Sequence, residues 1–530
     1  MTQYVIGGIA LAPDAPEEEA IALAAKKLRR AGVAAERLSI WRRSVDARDK
    51  RDIKLVYAVG FFTAGTLKKE ILQKLRLQSL SAVPFSVVYG REISAARPVV
   101  VGMGPCGMFA ALLLAEHGYR PLLLERGDAV EDRVRAVDAF YAGGDLDENS
   151  NIQFGAGGAG TFSDGKLVTR ISDARCAYVL EKLADLGAPK EILTMAKPHI
   201  GTDILRTVVA NAAARIEALG GEIRYRTKLT GIGPYAHGVR TLYTDRGDVA
   251  ASATVLAIGH SARDTYSMLL ARGTDIAAKD FSVGLRVEHL KNDIDFALYG
   301  DFAGHAKLPY AEYNLSYNTK ARGVYTFCMC PGGEVVAGAS ERGGLCVNGM
   351  SRYARDGRNS NSAVCVSVFR GDYGDSPAAA IEFQRSLERA AFTAGGGDYA
   401  APVATVGDFL ADRSLTKLGK VEPTYMGGRV RGANLRALFP KVLGDTLADG
   451  LTNFGKKIHG FDAPDALLSG IETRTSAPVR ILRGEDLSIA GEADIYPGGE
   501  GAGYAGGITS AAVDGVKIAQ AIMARFKPME

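Results

Sequence analysis

Residues 98–127, PVVVGMGPCGMFAALLLAEHGYRPLLLERG, constrain the fold more tightly than any other stretch of the 530-residue chain. An apolar run reads as a buried strand, and Gly102, Gly104 and Gly107 follow it as G-x-G-x-x-G. An apolar helix comes next, then a second strand ending at Glu125, eighteen residues past Gly107. Each spacing has a physical use. Gly102 allows the tight turn, Gly104 lets the backbone approach a pyrophosphate, and Gly107 lets the helix pack closely on the strand. The helix N-terminus then faces the phosphates, and the acid takes ribose hydroxyls. The unit predicts a Rossmann-like α/β domain with a dinucleotide site.

The rest of the composition sets bounds. Hydrophobic residues make up 47% and charged residues 23%, which is globular and leaves room for about three domains. No apolar run approaches the roughly 18 residues that a membrane span needs, so no membrane partner is expected. The N-terminus lacks a basic region before its short apolar patch, which argues against a signal peptide. Six cysteines are scattered without C-x-x-C or zinc spacing. Reduced thiols, a cytoplasmic location and no metal site are the expectation.

Charge is uneven. Residues 1–97 carry 17 Lys and Arg against 10 Asp and Glu, whereas the remainder is slightly acidic. This basic stretch reads as strand (3–12), helix (16–31), strands (36–44 and 52–60), helix (66–76) and strand (83–89). That βαββαβ order is the ferredoxin-like one. Its strands lack the aromatic pattern of RNA-recognition motifs, so nucleic acid is not the expected partner.

Past the dinucleotide unit, the segment 149–170 (NSNIQFGAGGAGTFSDGKLVTR) holds a second G-x-G-x-x-G at Gly155, Gly157 and Gly160. No apolar strand precedes it, so it predicts a ligand loop rather than a second dinucleotide fold. Helices are expected at 173–187 and 203–219, with strands near 222–228, 239–244 and 252–258. From 276 to 449, β-rich stretches alternate with polar loops, as a separate substrate domain with a helix near 377–393. Residues 493–522 then return to a short strand, a Gly-rich turn and a helix starting near Gly507.

Three pieces together resemble the glutathione-reductase-type FAD fold: the 102–125 unit, GGAGTFSDGKL, and the terminal GGEGAGYAGGITSAAVDG. More narrowly, CMCPGG (328–333), GHSARD (259–264) and ETRTSAPVRI (472–481) resemble a poorly characterised bacterial and plastid family of FAD-dependent dehydrogenases. The resemblance covers about 95–530. Joined with the element order and the change of pattern at 276, it gives four expected segments: a ferredoxin-like module (1–94), a first FAD-binding part (95–275), an inserted mainly β substrate domain (276–449) and a second FAD-binding part (450–530). It also implies FAD beside Gly102, Gly104, Pro105, Cys106, Gly107, Glu125 and Arg126. It adds Gly160, Thr161, Ser163, Gly165, Lys166, Leu229, Gly259, Glu500, Gly506, Gly507 and Ile508 as cofactor contacts, with the 160–166 loop near the flavin side, Glu500 near the ribityl chain and the helix after Gly507 aimed at the ring.

Candidate chemistry follows from residue types near those segments. Lys166, His260, Arg263, Lys456 and His459 are the expected catalytic cations and bases, with Arg474 and Arg480 as further clamps for an acidic substrate. Cys328 and Cys330 are two apart on an expected strand, so both thiols face one side, as a buried small pair or a redox pair. The expected function is hydride transfer between flavin N5 and an organic, anionic substrate. NAD(P)H or an acidic electron-carrier protein, docked on the basic hairpin around Arg42–Lys54, is the expected electron partner. The alternative is an FAD-binding RNA-modification or scaffold protein using the basic module.

Overall fold

The computed structural model describes residues 1–80 and 85–529. At its centre lies a five-stranded parallel sheet, in the order 495–497, 254–256, 99–101, 122–124, 222–224. The two inner runs Val99–Val101 and Leu122–Leu124 are fully buried, which is why they read as unbroken apolar stretches. The helix Pro105–Glu116 is buried at every position from Cys106 to Ala115. It packs against the C-terminal helix Ile508–Arg525, so the first and last parts of the chain share one core through Phe109, Leu113, Val516 and Ile518. A three-stranded antiparallel ribbon (229–236, 239–244, 249–251) is pinned to the sheet by Arg240, whose guanidinium donates to both Asp494 oxygens at 2.8 Å.

The second body is a seven-stranded sheet in the order 316–318, 323–330, 359–368, 281–290, 467–472, 401–405, 430–432. All its neighbours are antiparallel except the last pair. The helices Pro377–Ala394 and Lys441–Lys457 accompany it. This sheet claims Leu467–Glu472, so the chain crosses back to the parallel sheet near 473–479 rather than at 450. The strand pairing of 467–472 with 281–290 places this stretch with the second sheet rather than in the expected segment 450–530.

The N-terminal module is a four-stranded antiparallel sheet, ordered second, third, first, fourth, with helices Glu17–Arg30 and Lys69–Leu75. Its fourth strand is Gln78–Leu80, not 83–89. Residues 83 and 84 lie outside the described residues, and 85–89 are not in a strand. The basic hairpin stays exposed, but part of its charge is paired. Arg48, Arg51 and Lys54 each pair with the aspartate two residues earlier, Asp46, Asp49 and Asp52. Arg43 pairs with Glu17, and its backbone bonds Thr194 and Ala196. Ile53 joins the apolar core of the seven-stranded sheet. The module therefore straps both bodies together.

Candidate active site

One cavity of about 1350 Å³ opens between the parallel sheet and the seven-stranded sheet. Drug-sized sites are commonly ~300–1,000 Å³, so this volume exceeds a single small ligand. Its floor is the expected turn. Gly102 has φ +97, and a Cβ there would stand 2.4 Å from the Ala257 carbonyl oxygen. A Cβ on Gly104 would meet no protein atom within 4 Å, because the space beside it is the cavity itself. Gly104 is also the N-cap of Pro105–Glu116, and no side chain caps this helix. Its first N–H groups are thus left for a ligand, where the helix dipole favours an anion.

Glu125 is held by this turn as much as it holds it. Its Oε2 accepts from the Met103 N–H at 2.7 Å, and its Oε1 from the Gly127 and Gly155 N–H groups at 2.9 and 3.0 Å. Oε1 is thereby filled by two donors, whereas Oε2 keeps a lone pair for a ligand in the cavity that Glu125 lines. Arg126 lines the same end, bonded to Asp264 at 2.8 and 3.0 Å and stacked on Phe154 at 4.3 Å.

The loop 149–170 forms the next wall, with a short 3₁₀ turn at Gly158–Phe162. Its brace is Arg133, a fully buried side chain that sequence reading passed over. It donates to the carbonyls of Asn151 (2.9 Å), Ile152 (2.9 Å), Gly155 (3.3 Å) and Ala156 (2.6 Å). With no carboxylate in contact, burial pulls its guanidinium down to about 9. Nothing in its helix marks Arg133. The only signal is the run of carbonyls in a Gly-rich loop, which need a multidentate donor.

Lys166 lines the cavity, but it is engaged. Its Nζ bonds Asp164 Oδ2 at 2.6 Å and the Met329 carbonyl. Asp164 is fully buried and also takes both forks of Arg355, at 2.9 and 2.5 Å. Burial works against the Lys166 charge, yet Asp164 outweighs it and leaves the ammonium above its ordinary range. His260 lines the cavity and bonds Ser261 Oγ at 2.8 Å, which in turn donates to Gln153. Burial first, then the charges of Arg474 and Arg263, lower His260 to about 3. It is a neutral imidazole at physiological pH.

Three expected catalytic residues stay outside the lining. Arg263 is 2% exposed and spent on Glu388 (2.8 and 2.9 Å) and Glu341 (2.7 Å). Arg474 grips the same Glu388, at 3.0 and 2.9 Å, although it does reach the cavity wall. This Arg–Glu–Arg stack rivets the two bodies together. Lys456 and His459 lie at the end of Lys441–Lys457, away from the cavity, and Lys457 bonds the Ser316 carbonyl. Arg480 stacks on Tyr504 instead of lining the wall. Among the expected cofactor positions, Gly107 and Thr161 sit beneath the surface. The Thr161 hydroxyl donates to the Ala156 carbonyl at 3.0 Å.

The same lining takes in Gly160, Ser163, Gly165, Leu229, Gly259, Glu500, Gly506, Gly507 and Ile508 with Pro105 and Cys106. The helix Ile508–Arg525 also begins uncapped, behind Gly507. Among the described residues nothing donates a hydrogen bond to the Glu500 side chain, whose backbone carbonyl takes the Gly503 N–H, and burial raises its carboxyl to about 7. A hydroxyl-bearing ligand would satisfy it. Two open helix N-termini, the Gly104 gap and the waiting Glu500 carboxylate fit a dinucleotide with a polyol arm.

Comparison with known proteins agrees with the geometry. Residues 280–475 match the model of the FAD-dependent protein, C-terminal domain-like family, and residues 6–62 match a domain of unknown function. An uncharacterised protein of Clostridium beijerinckii is 47% identical over 509 residues, covering 94% of this chain and 95% of that one. Aklavinone 12-hydroxylase of Streptomyces peucetius is 32% identical over 162 residues, 29% of this chain and 32% of that enzyme. Among solved structures, CtdE in complex with FAD is 12% identical over 80% of this chain and 83% of that chain, with a TM-score of 0.33. Such a score says nothing of reaction or substrate. With its relative of nearly full length and its matching C-terminal domain, the chain belongs to this family of FAD-dependent proteins and is an FAD-dependent oxidoreductase.

Proposed function

We propose that the enzyme passes hydride between flavin N5 and a small organic substrate held against the seven-stranded sheet. The supporting observation is the single cavity that joins the Gly102–Gly107 turn to that sheet. Gly104 and Pro105 would take the pyrophosphate, Glu125 the adenosine ribose, and Glu500 the ribityl chain. Bound FAD supplies reversible two-electron chemistry, and the protein orients and tunes it. The open N-terminus of Ile508–Arg525 places partial positive charge where the reduced ring would carry negative charge. Lys166, fixed by Asp164, and neutral His260 would hold and orient the reacting groups.

The substrate wall carries Asn314, Ser316, Asn318, Tyr325, Asn348 and Ser367, so neutral hydrogen-bonding groups dominate it. Among the described lining residues Arg126, Lys166 and Arg474 are paired with Asp264, Asp164 and Glu388, which leaves Lys279 and Arg170 as the cations for an anionic substrate. This supports a polar, uncharged substrate over the acidic one. NAD(P)H or a carrier protein remains the proposed electron partner. The pairing of the hairpin bases gives no support to the nucleic-acid alternative. We also read the N-terminal module as ferredoxin-like, supported by its strand order. A cytoplasmic location belongs to the same reading, supported by six cysteines left as free thiols.

The test is direct. Purified protein should be yellow with one FAD released per chain on denaturation, and Gly104→Val should be colourless yet folded by circular dichroism. A wild-type protein that never takes up FAD, or a Gly104→Val protein that keeps it, would overturn the placement.

A further inference from the structure

The strand Gly323–Cys330 does not run straight. Its pairing with Asn359–Val368 slips between Phe327 and Cys330, leaving one extra residue on its side. Cys328 sits in this bulge with φ +46, a left-handed conformation that a non-glycine residue adopts at a cost. Regular alternation would put the thiols of Cys328 and Cys330 on one face. The bulge instead turns Cys328 onto the cavity wall, while Cys330 stays buried behind it. Bulges that re-aim a side chain are common beside active sites.

The segment is gripped from both sides. Arg286 donates to the Cys328 carbonyl at 2.9 Å, and Lys166 donates to the Met329 carbonyl. The Cys330 thiol donates to the Cys328 carbonyl oxygen at 3.3 Å, which holds it beside its neighbour. We propose that Cys328 and Cys330 form a redox-active dithiol on the cavity wall, which passes two electrons to a small organic disulfide entering the cavity. The Cys328 thiolate attacks one sulfur of the disulfide, forming a mixed disulfide and releasing one thiolate. Cys330 then loses its proton and attacks the Cys328 sulfur. The intramolecular S–S bond forms, the mixed S–S bond breaks, and the second thiolate leaves. The protein pair is oxidised by two electrons, and bound FAD, once reduced by its own electron partner, would supply the two electrons that restore the dithiol, with protons drawn from it and from solvent.

The surroundings suit that division of labour. The adjacent Cys330 side chain, with the charges of Arg286 and Lys166, holds the Cys328 thiol below its ordinary range against the opposing effect of burial. The neighbouring Cys328 and burial push Cys330 well up. A low thiol attacks, and a high one waits to resolve. The proposal rests on the FAD reading only for the return of electrons.

The experiment uses the flavin-loaded protein with Cys176→Ser, which removes the half-buried thiol elsewhere. Dithiobis-nitrobenzoate is the disulfide probe, followed by alkylation and peptide mass mapping. Two equivalents of thionitrobenzoate should be released, and the peptide holding 328–330 should be lighter by two hydrogens. Cys330→Ser should release one equivalent and keep the adduct on Cys328. A Cys328 that stays unreacted, or that keeps the adduct with Cys330 present, overturns the proposal. Mass mapping of the wild-type residues decides even if the variant folds poorly. Yellow protein without the lighter peptide defeats the dithiol alone, whereas colourless protein that closes the disulfide defeats the FAD placement alone.

Discussion

The carbonyl oxygen of Cys106 occupies the place of a side chain on Gly515: a Cβ there would lie 2.0 Å away. The two residues are in the first turn of the helix after the phosphate turn and in the middle of the C-terminal helix. Their contact sets how the two uncapped N-termini face one cavity. Gly515→Ala should force the helices apart, costing about 1–3 kcal/mol as overpacking does. The melting temperature and the flavin content should fall together. A variant that melts like wild type would show that the helices can separate freely.

Glu125 predicts a sharper loss. In Glu125→Ala the Met103, Gly127 and Gly155 N–H groups lose their acceptor at once. Each buried unsatisfied group costs about 1–3 kcal/mol. FAD affinity, measured by quenching of flavin fluorescence, should drop at least tenfold. Glu125→Gln, which keeps an acceptor oxygen, should fall between.

Arg263 and the pair Lys456/His459 should separate cleanly. Arg263→Ala leaves Glu388, 1% exposed, with Arg474 as its remaining ion-pair partner. Breaking a buried pair costs about 3–5 kcal/mol, so chemical denaturation should shift markedly. Lys456→Ala and His459→Ala should leave flavin reduction rates within about twofold, since surface changes usually stay within ~0.5 kcal/mol. A large rate loss from either would return them to the site.

His260 gives a pH test. Its folded value of about 3 lies below the ~6.5 of an unfolded histidine. Between these values the unfolded chain binds a proton that the native state refuses. Stability is therefore full above pH ~6.5 and declines as pH falls toward 3. His199 and His289, also lowered by burial, add to the slope. His260→Asn should make the denaturation midpoint less sensitive between pH 7 and 5. Parallel curves for variant and wild type would show that His260 titrates normally.

Lys166→Met should leave FAD bound but slow flavin reduction by tenfold or more, with Asp164 still held by Arg355. Spectra would report binding and stopped-flow absorbance the rate. An unchanged rate would reduce Lys166 to a brace for the Met329 carbonyl.

Local pattern alone specified the parallel-sheet body. Turn, helix and acid from Gly102 to Glu125 depend on neighbours within one supersecondary unit, and so does the helix behind Gly507. Spacing in the chain is spacing in space there. What only the tertiary structure decided involves partners far apart. Arg263 looked free for substrate until Glu388, 125 residues away, buried its charge. Arg133 became a brace only when the 151–156 carbonyls closed around it. The basic hairpin became tied to the rest of the molecule only when Ile53 entered the core of the seven-stranded sheet. Cys328 left the regular alternation because its strand had to match Asn359–Val368 with one residue too many. A charge or thiol announces its chemistry in sequence, but whether that chemistry is spent or available depends on long-range packing.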